Sequence, residues 1–205
     1  MQVKICGLTT AKQVKTCVSH DANFCGFILN YKKSQRFVDY QTAKQIMQTD
    51  KKNTLYVGVL VNPSEKEFEK FSNLNLDYFQ IYGNFSKEKI KEIKNNYKKK
   101  IIMSIQIKER RDVLKYKIYE KVADIILFDS SGLHKSLSWN YDWLNQVSSS
   151  FTRMLAGNIN IDMLENLKKI TDIVDVSGAL ETDKVKDLSK IKNFLYKIKQ
   201  INDKN

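Results

Sequence analysis

The sequence predicts a single-domain α/β chain over residues 1–205, folded as a (β/α)8 TIM barrel. Three observations predict it. Short apolar runs rich in β-formers alternate with segments of helical spacing along the chain, and strands alternating with helices imply a parallel sheet with right-handed crossovers. The runs number eight, which is the count that closes such a sheet on itself. No glycine-rich dinucleotide fingerprint follows the first run, which weighs against the open, doubly wound alternative. No linker or second domain is visible.

The strands fall in order. They are VKIC (3–6), FCGFIL (24–29), TLYVGVLV (54–61), DYFQIY (77–82), KIIMSIQI (100–107), ADIILF (123–128), TRMLA (152–156) and DIVDVS (172–177). Helical spacing is clearest in SKEKIKEIKNNY, with apolar residues at 90, 93 and 97. It recurs in DKVKDLSKIKNFLYKIKQI, through Val185, Leu188, Ile191, Leu195 and Ile198. Thr9, Asp39, Ser64, Ser86 and Asp183 each cap a helix or sit beside its cap, and Pro63 follows the third strand, where a helix can begin.

Composition narrows the function classes. Apolar residues make up 42% and charged residues 28%, an ordinary globular balance. No run approaches the roughly 20 apolar residues that span a bilayer, so no membrane partner is expected. A strand opening almost at Met1 is not a secretory leader. Three cysteines without framework spacing point to a reducing, cytoplasmic setting. The net charge is +12, yet arginine occurs only at 36, 110, 111 and 153. Base readout favours arginine, so the lysines are read as solvated faces and no nucleic acid is expected. The charge still steers anionic substrates.

In such a barrel, chemistry sits at the C-terminal ends of the strands. Alternation puts Lys4 and Cys6 on one face of the first strand and Val3 and Ile5 on the other. Val3 and Ile5 pack against helices, so Lys4 and Cys6 turn inward. A lysine there needs a counter-charge, and Asp175 of the adjoining eighth strand supplies it. The cation below Cys6 favours the thiolate. The bland alternative is a buried filler, which suits Cys17 and Cys25. Asp129 ends the sixth strand, across the barrel from Cys6, as a cap or a catalytic acid. Together they suit proton transfer at two neighbouring atoms of one small substrate. Arg36, in the loop after the second strand, can clamp a carboxylate or phosphate. Gly157 and Gly178 follow the seventh and eighth strands, where these barrels often bind phosphate through backbone N–H groups.

These stretches, taken in order, carry a resemblance. VKICGLTT, GFIL…SQRFV, VGVLVN, DYFQIYG, ILFDSSG…SLSW, LAGNIN and DVSGALE resemble the signature segments of the phosphoribosylanthranilate isomerase family of tryptophan biosynthesis. K-I-C-G-L-T and D-V-S-x-x-x-E are the most specific pieces. The resemblance implies a small (β/α)8 barrel with no cofactor and no metal. It implies an Amadori rearrangement of N-(5-phosphoribosyl)anthranilate to 1-(2-carboxyphenylamino)-1-deoxyribulose 5-phosphate. Asp129 is then the acid that protonates the ring oxygen, and Cys6 the base that removes the C2 proton. Arg36 matches the arginine holding the anthranilate carboxylate. Lys4, Gly157, Asn158, Ser177, Gly178 and Ala179 join it in the substrate-binding set, the last five at the phosphate.

The chain departs from the family at four places. One glycine survives in Ser131-Gly132-Leu133-His134. Tyr82 stands where histidine is usual, Asn158 replaces a second glycine, and Gly178-Ala179 replaces Ser-Gly. Alanine takes positive φ less cheaply than glycine, so a strained or reshaped loop is expected at Ala179. The altered loops keep open a barrel isomerase acting on a different sugar phosphate, and the charge a non-catalytic basic binding protein. Monomer and homodimer are not distinguished.

Overall fold

The computed structural model describes residues 1–130 and 137–204; the altered Ser131–His134 loop lies outside the described residues. Eight parallel strands close into a barrel in chain order. They are β1 (Gln2–Cys6), β2 (Phe24–Ile28), β3 (Leu55–Val61), β4 (Tyr78–Tyr82), β5 (Lys100–Ile107), β6 (Ile125–Ser130), β7 (Thr152–Leu155) and β8 (Ile173–Val176). All eight overlap the runs read from the sequence. β6 runs two residues further than expected, so Asp129 lies within it and not just past it.

Alternating side chains sort into two apolar clusters. Val3, Ile5, Phe27, Leu60, Phe79 and Ile81 join the layer between sheet and helices. Phe24, Val57, Tyr78, Ile102, Leu127, Met154 and Ile173 fill the barrel interior together with Cys6 and Tyr82. The inward orientation of Cys6 follows from that parity.

The outer layer is uneven. Four α-helices cover the first half: α1 (Ala11–Ser19), α2 (Tyr40–Ile46), α3 (Glu65–Ser72) and α4 (Lys87–Tyr97). Asp39 and Ser86 cap α2 and α4, Ser64 forms a capping box with Glu67 ahead of α3, and Thr10, beside Thr9, caps α1. After β5, β6 and β7 the described parts of the crossovers hold only 3-10 turns and the one-turn helices α5 (Tyr116–Tyr119) and α6 (Leu164–Leu167). α7 (Leu188–Asp203) closes the ring.

One helix start is corrected. Asp183 caps nothing. It and Lys184 have φ of 50° and 65°, the pair of left-handed residues that a two-residue hairpin turn requires. The turn joins β9 (Glu181–Thr182) to β10 (Val185–Lys186), which pair antiparallel. Val185 therefore points to solvent at 60% exposure instead of packing on a helix. The cap of α7 is Asp187, which accepts from Ser189 N and Lys190 N at 2.8 and 3.1 Å. Among the described residues no helix is long and apolar enough to cross a membrane.

Candidate active site

An open cavity of about 830 Å³, including solvent at its mouth, sits at the C-terminal ends of the strands. Cys6, Arg36, Tyr82, Asp129, Gly157, Asn158, Asp175, Ser177, Gly178 and Ala179 all line it. Every site residue expected from the sequence is therefore gathered there except Lys4, which lies fully buried below it.

The floor is a polar layer. Lys4 and Asp175 are register partners across β1 and β8, and Lys4 Nζ donates to Asp175 Oδ1 at 3.0 Å. Burial alone strips a lysine's proton, but Asp175 and the Cys6 sulfur outweigh it and hold Lys4 above its ordinary value. Gly26 makes the room: a Cβ there meets Cys6 Sγ and Lys4 Nζ, each at 3.1 Å. The signal was present in FCGFIL, since a glycine inside a strand often marks a close approach. Lys4→Met leaves Asp175 buried without its cation, which costs about 2–5 kcal/mol, part of it recovered as Asp175 takes up a proton. Denaturant unfolding checks this; a midpoint equal to the parent's removes the pair from the list of stabilising contacts.

Above this layer stand the thiol and the acid. The cation was expected to favour the Cys6 thiolate, and the balance falls the other way. Burial outweighs Lys4 and raises the thiol above its ordinary value, and Asp175 adds to the rise. Cys6 rests as a thiol. Asp129 reaches the cavity from β6, three places round the ring from β1. Burial pushes its carboxyl up to about 6, against the hydrogen bond donated by Tyr82 Oη to Oδ2 at 2.7 Å. Cys17 and Cys25 are buried in the outer layer, as fillers.

One side of the cavity is a charged bracket that the residue-by-residue reading missed. Arg36 donates from Nε and Nη2 to the two Glu181 oxygens at 2.5 and 2.8 Å, leaving the Nη1 side of its fork for a ligand. Lys186, buried in β10, donates to Glu181 Oε1 and, at 3.2 Å, to Ser177 Oγ. Ser177 Oγ in turn donates to Cys6 O at 2.9 Å. The bracket carries two positive charges and one negative, so it keeps a net attraction for an anion. Gly7, at φ 78°, lets Arg36 lie across it, since a Cβ there collides with Arg36 Cδ.

The other side is backbone. Gly157 and Asn158 follow β7, and Ser177 leads into a 3-10 turn at Gly178–Leu180. The N–H groups of Gly157, Asn158, Gly178 and Ala179 have no protein acceptor among the described residues, which suits an anion. Both substitutions here are absorbed. Asn158 takes φ 53°, and asparagine tolerates that region well. Ala179 is not among the residues of positive φ, so the strain expected there does not arise. Trp139 and Tyr141 support the loop by donating to Ala156 O at 3.0 Å and to Gly157 O.

Eight parallel strands with a carboxyl, a thiol and two anion-attracting walls at their C-terminal mouth define a (β/α)8-barrel enzyme with an acid–base site. Known proteins give the class its name. Residues 3–197 match the family described as N-(5'phosphoribosyl)anthranilate (PRA) isomerase. The N-(5'-phosphoribosyl)anthranilate isomerase of Streptococcus gordonii is 33% identical over 97% of this chain and 97% of its own. That of Bacillus cereus is 31% identical over 98% of each. The fold superposes on the phosphoribosyl anthranilate isomerase of Thermotoga maritima with a TM-score of 0.86 at 24% identity, covering 98% of this chain and 99% of that one. A second such structure, in complex with reduced 1-(o-carboxyphenylamino)-1-deoxyribulose 5-phosphate, gives 0.84 at 24% identity with the same coverage. The chain belongs to the N-(5'-phosphoribosyl)anthranilate isomerase family.

Proposed function

We propose that this cavity isomerises N-(5-phosphoribosyl)anthranilate, with Asp129 as acid and Cys6 as base. The observation that carries the reading is their convergence on one cavity, between a backbone wall suited to phosphate and the free side of Arg36 suited to a carboxylate. Asp129 gives its proton to the furanose ring oxygen as the bond from that oxygen to C1 breaks, and the nitrogen lone pair forms an iminium. The Cys6 thiolate removes the C2 proton, and the C–H electrons form the C1–C2 double bond of an enolamine. Loss of the C2 hydroxyl proton and protonation of C1 give the ketone. Lys4 offsets the negative charge on sulfur from below.

The working form needs Asp129 protonated and Cys6 ionised. The resting preferences are the reverse: a carboxyl at about 6 and a thiol above its ordinary value. Both forms hold one proton between the two groups. Hence kcat/KM is expected to rise as pH climbs through about 6, where the doubly protonated form loses its first proton. It is expected to fall again only above the ordinary thiol range, where the second proton leaves. The test is turnover of freshly prepared N-(5-phosphoribosyl)anthranilate, followed by loss of its fluorescence across that pH range. Growth of a tryptophan auxotroph lacking the isomerase is the cellular counterpart. A folded protein that ignores this substrate while converting another sugar phosphate ends the proposal.

A further inference from the structure

Asp129 does not stand alone in the cavity wall. Tyr82 Oη donates to its Oδ2 at 2.7 Å, and Gln80 Nε2 donates to Tyr82 Oη at 3.2 Å. Both supporting residues come from β4, two positions apart, so the pleat points them into the barrel one above the other. Gln80 is fully buried and Tyr82 is 8% exposed. Gln80 Oε1 is buried without a partner among the described residues.

We propose that Gln80 and Tyr82 form a buried hydrogen-bond chain that positions the Asp129 carboxyl and decides when it holds its proton. The proposal rests on Asp129 being the acid and adds the residues that make it one. Gln80 occupies a lone pair of the phenol oxygen, so the phenol hydrogen is committed to Asp129. A donor aimed at a carboxylate favours the ionised form and fixes which oxygen remains open to substrate. The proton that Asp129 delivers to substrate therefore sits on Oδ1, while Tyr82 Oη keeps donating to Oδ2.

Residue type matters here. A histidine at this position would titrate near neutrality. Burial, with Asp129 adding to it, puts the Tyr82 phenol well above its ordinary value, so it remains a donor at every working pH. Among the described residues, the other titratable groups facing Asp129 are Lys4 of β1, Asp175 of β8 and Tyr141, and Cys6 of β1 faces Tyr82. Asp175 raises Asp129 and Lys4 lowers it, but these two are bound to each other. Tyr82 is the one titratable side chain that hydrogen-bonds the Asp129 carboxyl among the described residues.

The experiment is the pH profile of kcat/KM for the full chain, for Tyr82→Phe, and for protein carrying 3-fluorotyrosine at position 82. Tyr82→Phe is expected to move the acidic limb upward by about one unit, because a charge-assisted hydrogen bond to the ionised form is lost. The fluorinated phenol is a stronger donor and moves the limb the other way. A merely structural role lowers turnover without moving the limb. An unmoved limb in a folded Tyr82→Phe protein overturns the proposal. Should that variant fail to fold, an unmoved limb in the fluorinated protein does so alone. Asp129→Asn separates the two claims: a fully active asparagine variant removes the acid itself, whereas an inactive one with an unmoved Tyr82→Phe limb removes only the chain.

Discussion

Cys6→Ala is expected to lower kcat by about 10²- to 10⁴-fold, the contribution of a positioned proton-transfer group. Among the described residues, no neighbour is placed to take over. Asp175 is held by Lys4, Lys186 by Glu181, and the Tyr82 phenol holds its proton well past its ordinary range. Cys6 stands at the rim of the interior cluster and is 9% exposed, so trimming one sulfur opens the cavity slightly and leaves the strand in place. KM is expected to change little. Steady-state fluorescence with the folded variant checks this. Turnover within tenfold of the parent eliminates Cys6 as the base. Cys6→Ser sharpens the result, because a hydroxyl is a far weaker acid than a thiol and yields almost no anion in the working pH range.

Asp129→Asn is expected to cost a similar factor by a different route. Asparagine keeps the shape. Ser130 N and Tyr82 Oη bond opposite oxygens of Asp129, at 2.7 Å each, so the amide oxygen keeps the Ser130 bond while the amide NH2 takes the second place and donates to Tyr82 Oη. The transferable proton is lost. Turnover falls by about 10²- to 10⁴-fold, and the residual activity no longer rises through pH about 6. A variant that retains both the rate and the acidic limb rules out Asp129 as the acid.

Much of the site was legible because the pleat has a period of two. Once Val3 and Ile5 were given to the helices, Lys4 and Cys6 had to face inward, and Asp175 followed as the only charge on the adjoining strand at that height. Three things were not legible. The Arg36–Glu181 pair joins residues 145 apart, and no local pattern reports such a distance. Lys186 was hidden because the stretch from 183 looked helical: Val185 falls at a helical spacing from Leu188, although the two left-handed residues before it make a hairpin. The state of Cys6 was not legible either. A neighbouring cation is visible in the sequence, whereas the depth of burial that outweighs it is a property of the closed barrel.

The thiol stands where the first and eighth strands of the barrel meet. β1 and β8 are neighbours, and the Lys4–Asp175 pair, the Ser177–Cys6 bond and the hairpin after β8 all cross that junction. While the chain is being synthesised, Lys4 and Cys6 are made long before Asp175, Ser177 and Lys186. Until the final strand docks, Lys4 has no counter-charge and Arg36 has no Glu181 to rest on. On the proposed mechanism, activity therefore requires the completed barrel.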